Sequence, residues 1–555
     1  MKKRIVSVVL IVAMLLSVLA ACGGGSERPD VDKLDPETYE FKDVTITVSG
    51  KQGATDDWND TVLVAKMKEK FGVTMDCAPF ADDVWSTKFN LMLAEDTLPD
   101  LMVNSDLSVS ELESYGVEDG YFLPIDEFLG FMPNLQAFFE EHPEYKAFCT
   151  SSDGHIYGLL KYNASWLQKL PIVFIKTSWL ENVGLPYPET PDELYAVLKA
   201  FKEKDANGNG DPNDEIPMMW CSGNSNRTPE QAIMAMFGIQ TANGNVYAIR
   251  TLDKDGKVTL ADTTENYKAY LKFMNKLWSE GLIYNESYTA TVSVQRTLTK
   301  ADRVGIFSDA APQTATGTGD PLDSLKFQYF GGFTSEYCQT PELSYQYPVS
   351  STVAIAISAA TQSPAEICRM IDYYFSDEGM MFGWRGDVKS YTDEVEVPGT
   401  NGIMYDMYRK EAPEGYATWE VYRHKKQVIN GAFQIVNIAT SDVEYMMEHM
   451  EDLDAIKLMM EGGFSTWVGS IAVRLAEADV KVSQGFPPLT FGEDSNRRNQ
   501  LSGDISTYIK TMKADFITGR KNIDENWGDF IATMERMGLN ELLTIEQAAY
   551  DRIFK

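Results

Sequence analysis

The chain has 555 residues and 62.2 kDa, too long for one ordinary core and long enough for two lobes of roughly 200 residues each. Hydrophobic residues make up 44%, charged 24% and aromatic 12%, which excludes a disordered, collagenous or polytopic membrane chain. Lys and Arg total 49 against 82 Asp and Glu, a formal charge of -33 that repels phosphate backbones and excludes nucleic-acid binding.

Lys2, Lys3 and Arg4 precede the apolar run Ile5 to Ala21, and Cys22 opens a Gly-Gly-Gly-Ser stretch. A basic start, a short apolar run and small residues at the junction form a secretory signal peptide over 1–21, too short for a permanent span. Leu19-Ala20-Ala21-Cys22 resembles a bacterial lipobox, whose cysteine sulfur takes a diacylglycerol and whose new N-terminus takes a further acyl chain such as palmitate. Residues 22–40 are rich in Gly, Pro and charge and form a lipid-anchored flexible tether. The mature protein is expected on the extracellular face of the cell membrane.

Val44 to Val48 is a β-branched strand, residues 61–71 a helix ending at Gly72, Val73 to Cys77 a second strand, 82–95 a helix, and Leu101 to Val103 a third strand. Strand–helix alternation of this kind builds a parallel α/β sheet, with ligands at the carboxyl ends of the strands. The loops 49–60 and 104–110 are therefore candidate site walls, with Asn104 and Asp106 in the second. A further α/β segment starts near Ile172 to Ile175 and includes helices 191–203 and 264–280. Strand-like Arg303 to Phe307 and Val353 to Ile357 interleave with helices 364–375 and 501–518, so the chain crosses between lobes more than once. The expected partition is 41–165 as the first part of lobe 1, 166–305 as lobe 2, 306–360 as a return to lobe 1, and 361–555 as mainly lobe 2 with C-terminal helices.

The sharpest motif is Asp205 to Glu215 (DANGNGDPNDE), with oxygen donors at loop positions 1, 3, 5, 7, 9, 10 and 11 and glycine at position 6. Calcium takes six to eight hard oxygens, and the glycine allows the turn that points them inward. Position 12, where an EF-hand has its bidentate glutamate, is Ile216, so Asp214 or Glu215 must close the shell. A structural Ca2+ fits better than a sensor site; the alternative is a polar Asx/Gly turn without metal.

Catalytic patterns are missing. The four histidines form no H-E-x-x-H, Ser465 lacks the second glycine of a nucleophile elbow, and Thr316-Gly317-Thr318-Gly319 lacks the Gly-Lys-Ser/Thr of a phosphate loop. Acidic pairs such as Asp56-Asp57 and Asp82-Asp83 read as solvated caps. Six widely spaced cysteines give no C-x-x-C, and the five left once Cys22 is lipidated read as mostly buried thiols, with room for one bridge.

The aromatic load is informative: ten Trp, 27 Tyr and 27 Phe. Several sit beside polar residues in predicted loops, namely Trp58 with Asn59, Tyr162 and Trp166 around Asn163, Trp220 with Asn224, and Trp384 with Arg385. Flat rings with Asn, Asp and Arg nearby suit the apolar faces and hydroxyl edges of sugars. Trp179, Trp278 and Trp527 lie in apolar helical settings and read as core.

The fragments Leu98-Pro99-Asp100, Asp153-Gly154-His155-Ile156-Tyr157-Gly158, Pro188 to Leu194, Asp214-Glu215-Ile216-Pro217, Tyr373 to Gly379 and Phe516-Ile517-Thr518-Gly519 occur in a characteristic order. Across nearly the whole mature chain they resemble the extracellular solute-binding lipoproteins of carbohydrate ABC importers, in the large oligosaccharide-binding branch of Gram-positive bacteria. The resemblance implies an α/β, two-lobe periplasmic-binding-protein-like fold with a ligand cleft between the lobes. It also implies a monomeric, non-catalytic receptor that delivers an oligosaccharide to ABC importer permease subunits. For Asp205, Asn207, Asn209, Asp211, Asp214 and Glu215 it implies calcium ligation. A peptide-binding receptor and a surface glycoside hydrolase are the alternatives. Trp384 and Arg385 stand where many relatives have a Gly-x-Glu-Gly pattern.

Overall fold

The computed structural model describes residues 34–221, 228–241, 246–318, 321–390, 394–396, 403–405, 413–416, 419–429, 431–437, 441–462, 465–489 and 491–555. Strands β1 (Val44–Ser49), β2 (Val73–Cys77), β3 (Leu101–Val103) and β4 (Gly158–Asn163) come first in the chain. Next are β5 (Val173–Lys176), β6 (Ile216–Met218), the hairpin β7 (Arg250–Leu252) and β8 (Val258–Leu260), then β9 (Val304–Ser308), β10 (Phe327–Tyr329) and β11 (Glu342–Tyr345). Last come β12 (Val349–Ile357), the hairpin β13 (Glu394–Glu396) and β14 (Ile403–Tyr405), β15 (Val436–Asn437) and β16 (Lys481–Gln484).

Two sheets organise the lobes. The first has the order β15-β4-β12-β3-β1-β2, with β1 parallel to β2 and β3, and β12 antiparallel to both β3 and β4. The second has the order β10-β5-β9-β6, with β6 parallel to β9 and β5 antiparallel to it. β11 and β16 form a parallel pair beside the second sheet's lobe.

Local sequence explains the early elements. Thr61 caps the helix Val62–Phe71 through its side chain, and Gly72 ends it at φ 71, where a Cβ would also collide with the Asp43 carboxylate. Thr190 and Glu193 form a capping box for Pro191–Glu203, with proline in the first turn.

The first core joins Ile46, Val48, Leu101 and Leu160 to Ile355, Ile367, Cys368, Phe382 and Phe433. The second joins Ile175, Leu198 and Met218 to Met274, Ile306, Ile509 and Phe530. This path differs from the expected partition in two places. Residues 304–308 and 327–329 are strands of the second sheet, so the return to the first lobe begins near β12 and not at 306. The helices Pro364–Asp372 and Asp377–Arg385, expected in lobe 2, pack into the first core. Their amphipathic pattern fixes that they are buried and says nothing about which sheet buries them.

The crossings between lobes lie side by side. Asn163 N–H donates to the Pro348 carbonyl (2.9 Å), Ala164 N–H to that of Asn437 (2.9 Å), and Gln346 N–H to that of Lys169 (3.1 Å). The five cysteines among the described residues are free and buried, in line with the sequence reading. Among the described residues no helix is long and apolar enough to cross a membrane.

A buried ion pair fixes the second lobe's helices. Lys513 Nζ lies 2.7 Å from Glu230, whose carboxylate also accepts from Tyr270 Oη at 3.0 Å, and both charged side chains are buried. Removing one partner strands the other charge in a low-dielectric interior. Lys513→Met is therefore expected to lower unfolding stability by about 3–5 kcal/mol in urea titration. Adding Glu230→Gln should restore most of that loss.

Candidate functional site

The carboxyl ends of β1 and β3 carry a polar cluster. Gly50 follows β1 so closely against β3 that a Cβ would overlap the Val103 carbonyl oxygen. Beyond β3, Asn104 (φ 49) and Asp106 (φ 54) both hold left-handed backbone, which side-chain-bearing residues adopt at a cost of order 1–3 kcal/mol. Asn and Asp tolerate that region best. Asn104 Nδ2 donates to the Lys51 carbonyl (2.9 Å), and Lys51 Nζ pairs with Asp106 (2.5 Å). Lys161, near the end of β4, donates to the Gly431 carbonyl (3.1 Å), and burial lowers its pKa while Asp106 opposes that shift. Gly431 (φ 84) lies against the Asn104 side chain, where a Cβ would stand 2.6 Å from Oδ1.

A segment from Trp419 onward borders this cluster. Thr55 Oγ1 donates to the His424 carbonyl (2.7 Å), Lys425 pairs with Asp56 (2.8 Å), and Lys426 pairs with Asp60. Trp384 is half-buried beside it, with the Arg423 guanidinium 5.2 Å and that of Arg385 5.7 Å from its ring.

The second lobe offers a matching set at the carboxyl ends of β6 and β9. Arg296, on the helix Val292–Lys300, is held in a fork by Asp309, with Nε to Oδ2 and Nη2 to Oδ1 both at 2.8 Å. The Asp309 side chain is 2% exposed and that of Arg296 44%, so a buried carboxylate orients a guanidinium that solvent still reaches. Bonding to Asp309 raises the Arg296 pKa. Cys221 lies in the same charge environment, and burial, reinforced by Asp309, pushes its thiol up to about 11. At neutral pH it stays protonated and is a poor nucleophile.

The residues expected from sequence separate into two groups. Asn104, Asp106, Trp384 and Arg385 lie on the first lobe's polar rim. Trp58 is 0% exposed: its Nε1 donates to the Gln52 carbonyl and its rings fill the first core, so it presents no face to a ligand. Asn59 is a structural clamp, exchanging bonds of 2.9 Å with the Cys77 carbonyl and N–H. Tyr162 is buried among Phe138, His142 and Tyr145. Trp220 packs edge-on against Tyr288 in the second core. Trp166 is half-buried at the crossing, with Tyr345 at 5.9 Å. Asn224 and Cys22 lie outside the described residues. Sequence reasoning missed Lys51, Lys161, Arg296 and Asp309; a signal existed only for Lys51, which lies in the loop after β1.

The Asp205–Glu215 loop is folded as a nest of Asx turns. The Asn207, Asn209 and Asp211 side chains accept from the N–H groups of Asn209, Asp211 and Asn213, while Gly208 and Gly210 take φ 73 and 93. Asp205 Oδ2 accepts from Gly210 N–H and Glu215 Oε1 from Ala206 N–H. Their other oxygens, Asp205 Oδ1 and Glu215 Oε2, are buried without any hydrogen-bond partner. Asp214 is already engaged by Asn207, Asn209 and Arg303. Among the described residues no three His, Cys, Asp or Glu side chains converge, so a cation here would draw on amide oxygens as well. Two orphaned carboxylate oxygens in an oxygen-rich loop fit a hard divalent ion.

The sequence model for bacterial extracellular solute-binding proteins matches residues 46–381. The chain belongs to this family. This solute-binding protein is 25% identical to the fructooligosaccharide ABC transporter substrate-binding protein FusA of Streptococcus pneumoniae serotype 4, over 98% of this chain and 97% of FusA. It is 35% identical to lipoprotein LipO of Bacillus subtilis over 36% of this chain and 37% of LipO. The structure of FusA in complex with kestose superposes with a TM-score of 0.68 at 22% identity, covering 92% of this chain and 99% of FusA. An EF-hand mutant of FusA in complex with fructo-nystose gives 0.67 at the same identity and coverage. The HMO-binding, ABC-transporter-associated solute-binding protein of Bifidobacterium longum infantis gives 0.69 at 20% identity, covering 92% of this chain and 99% of its own. These structures share the two-lobe fold.

Because Trp58 is wholly enclosed, Trp58→Ala is expected to act on folding, lowering stability by about 3–5 kcal/mol. Urea unfolding checks this; unchanged stability with lost ligand binding would contradict the assignment of Trp58 to the core.

Proposed function

We propose that this solute-binding protein captures an oligosaccharide between its lobes and delivers it unaltered to the permease subunits of an ABC importer. The observation that carries this reading is the pair of polar strand-end sets, one on each sheet, in lobes joined by adjacent crossings. Lys51 and Arg296 are each held by a carboxylate, so donors and acceptors stand ready beside one another. That pairing suits vicinal hydroxyls, which donate and accept at neighbouring positions. Membership in the family and the likeness to FusA along the whole chain support the reading.

Asn104, Asp106, Lys51 and Arg296 are the proposed ligand contacts, with Trp384 and Arg385 at the rim. A glycoside hydrolase would need a carboxyl group that keeps its proton near neutral pH. Asp106 and Asp309 are instead each engaged in an ion pair, with Lys51 and Arg296 respectively. Capture without turnover is the better match.

Calcium would be held by Asp205, Asn207, Asn209, Asp211 and Glu215, the last supplying the closing carboxylate because Asp214 is occupied by Arg303 and two amides. The ion would fix the loop after the helix Pro191–Glu203 and leave the ligand chemistry to other residues. The EF-hand mutant among the FusA structures supports this assignment. Lipid on Cys22 would hold the monomer at the outer face of the membrane, and the likeness to LipO supports that anchoring.

Two experiments test these readings. In calorimetric titration of residues 23–555 with fructooligosaccharides and milk-type oligosaccharides, one class should bind and be recovered intact. Arg296→Ala and Asp106→Ala should each weaken it at least tenfold, about 1.4 kcal/mol. Affinity unchanged in both variants, or a cleaved glycan, would refute the receptor site as drawn. For the metal, calcium at a hundred times its Kd would add about 2.7 kcal/mol. Chelation should then lower the melting temperature by roughly 5–10 °C, and Glu215→Ala should abolish that response.

A further inference from the structure

A cavity of about 560 Å³ lies apart from the strand-end faces. It is bounded by hairpin β7–β8, the β11–β16 pair, the segment after β16 and the helices Ser495–Ile517 and Leu539–Phe554, with Ser351 of β12 contributed by the first lobe. None of Lys51, Asn104, Asp106, Arg296 or Asp309 lines it. Its volume falls within the range of small-molecule sites.

The wall is built around one buried carboxylate. Glu546, 1% exposed at its side chain, accepts from Arg250 at 3.0 Å through both Nε and Nη2. The same carboxylate accepts from Arg498 Nε (3.0 Å), whose Nη2 lies 2.9 Å from Oε1. Arg250 is further anchored by the Ala248 carbonyl and Ser502. Two guanidinium groups on one carboxylate leave a positive charge uncompensated. Glu342, the other acid in the lining, is paired with Lys481 at 3.4 Å. Arg498 stacks on Phe491 at 4.6 Å and remains 26% exposed at its side chain, so its charge can be reached from the cavity. Burial lowers the Arg498 pKa, with Glu546 opposing that shift and the nearby Arg250 adding to it.

The remaining lining narrows the chemistry. Gln240 Oε1 is buried without a donor, and the hydroxyls of Ser344 and Ser483 lie 2.9 Å apart at the wall. Phe486 and Pro487 supply apolar surface. An anion alone would use only the guanidinium. A sugar acid would use more of the wall, offering its carboxylate to Arg498, a hydroxyl to the Ser344–Ser483 pair and its C–H face to Phe486.

We propose that this cavity is a second binding site, one that takes the carboxylate of an acidic monosaccharide on Arg498. A chain of charge -33 that keeps an under-compensated guanidinium in a cavity has a use for a negative ligand there.

The test is a calorimetric titration of residues 23–555 with galacturonate, galactose and inorganic phosphate, each to about ten millimolar. Galacturonate is expected to bind saturably, at least tenfold more tightly than galactose or phosphate. Arg498→Gln should weaken it at least tenfold, while Arg498→Lys retains part of the affinity. Ser351→Trp, which leaves the Arg250–Glu546–Arg498 cluster intact and obstructs the cavity from the first lobe, should also weaken binding; circular dichroism confirms folding of each variant. Galacturonate should still bind when the transported oligosaccharide is saturating, which separates this site from the strand-end site. No galacturonate binding, or equal binding by the Gln and Trp variants, overturns the site. Phosphate binding as tight as galacturonate overturns the sugar-acid assignment.

Discussion

The backbone hydrogen bonds that tie the interlobe crossings together are the constraint on which the rest depends. Asn163 and Ala164 lie between the residues that lead into β12 and those that leave β15, bonded to Pro348 on one side and Asn437 on the other. A single crossing would let two lobes wander independently, whereas adjacent bonded crossings restrict them to bending and twisting about one line. The sheets on either side then keep a defined relation. A second connection is made by side chains alone: Phe554 of the last helix lies 6.4 Å from Phe148, and Ile553 packs against the first core. Ring contacts of this kind have little directional demand and can slide as the lobes rotate.

Each lobe organises its polar face by the same device, a cation fixed by a carboxylate. In the first lobe Asp106 holds Lys51, and strained backbone at Asn104 and Asp106 sets the angle. In the second, buried Asp309 fixes Arg296 in a fork, which removes side-chain freedom before any ligand arrives. Closure requires a ligand that gains more from both faces together than from either alone, since only a difference in affinity between open and closed states shifts the balance. A short ligand that reached one face would bind and leave the lobes where they were.

The parallel start of the first lobe was legible because each element carried its own signal: β-branched strands, Thr61 as a cap, Gly72 as a stop. The turn at Asp205–Glu215 was legible for a similar reason, since its Asn, Asp and Gly residues are contiguous in sequence; the metal it would hold is a proposal. The aromatic pattern does not hold at Trp58, Tyr162 and Trp220, because polar neighbours in sequence need not be partners in a site. In the fold, Asn59 serves the backbone of Cys77, and Trp58 satisfies its own N–H on Gln52, so polarity there completes a core. Arg296 and Asp309 could not be paired from sequence: thirteen positions separate them, and only the helix-to-strand return places them together. The chain's path had the same limit, because the amphipathic helices of 364–385 suit either sheet and only β12, bonded between β3 and β4, decides the matter.

The distribution of cations adds a final step. In a chain with 82 acidic residues, Lys161, Arg250, Arg423, Arg474, Arg498 and Lys513 are withdrawn from the surface to varying degrees, and most bond carboxylates or carbonyl groups. The outer surface is left strongly negative, but that field is screened within about 8 Å at physiological ionic strength. A neutral molecule approaching it therefore meets little long-range force. The buried or half-buried pairs act at short range, because an interaction between fixed charges and polar groups strengthens as water is excluded. The acidic exterior and the paired interior thus differ in reach: the field of one fades within a Debye length, while the pairs of the other act only on what touches them.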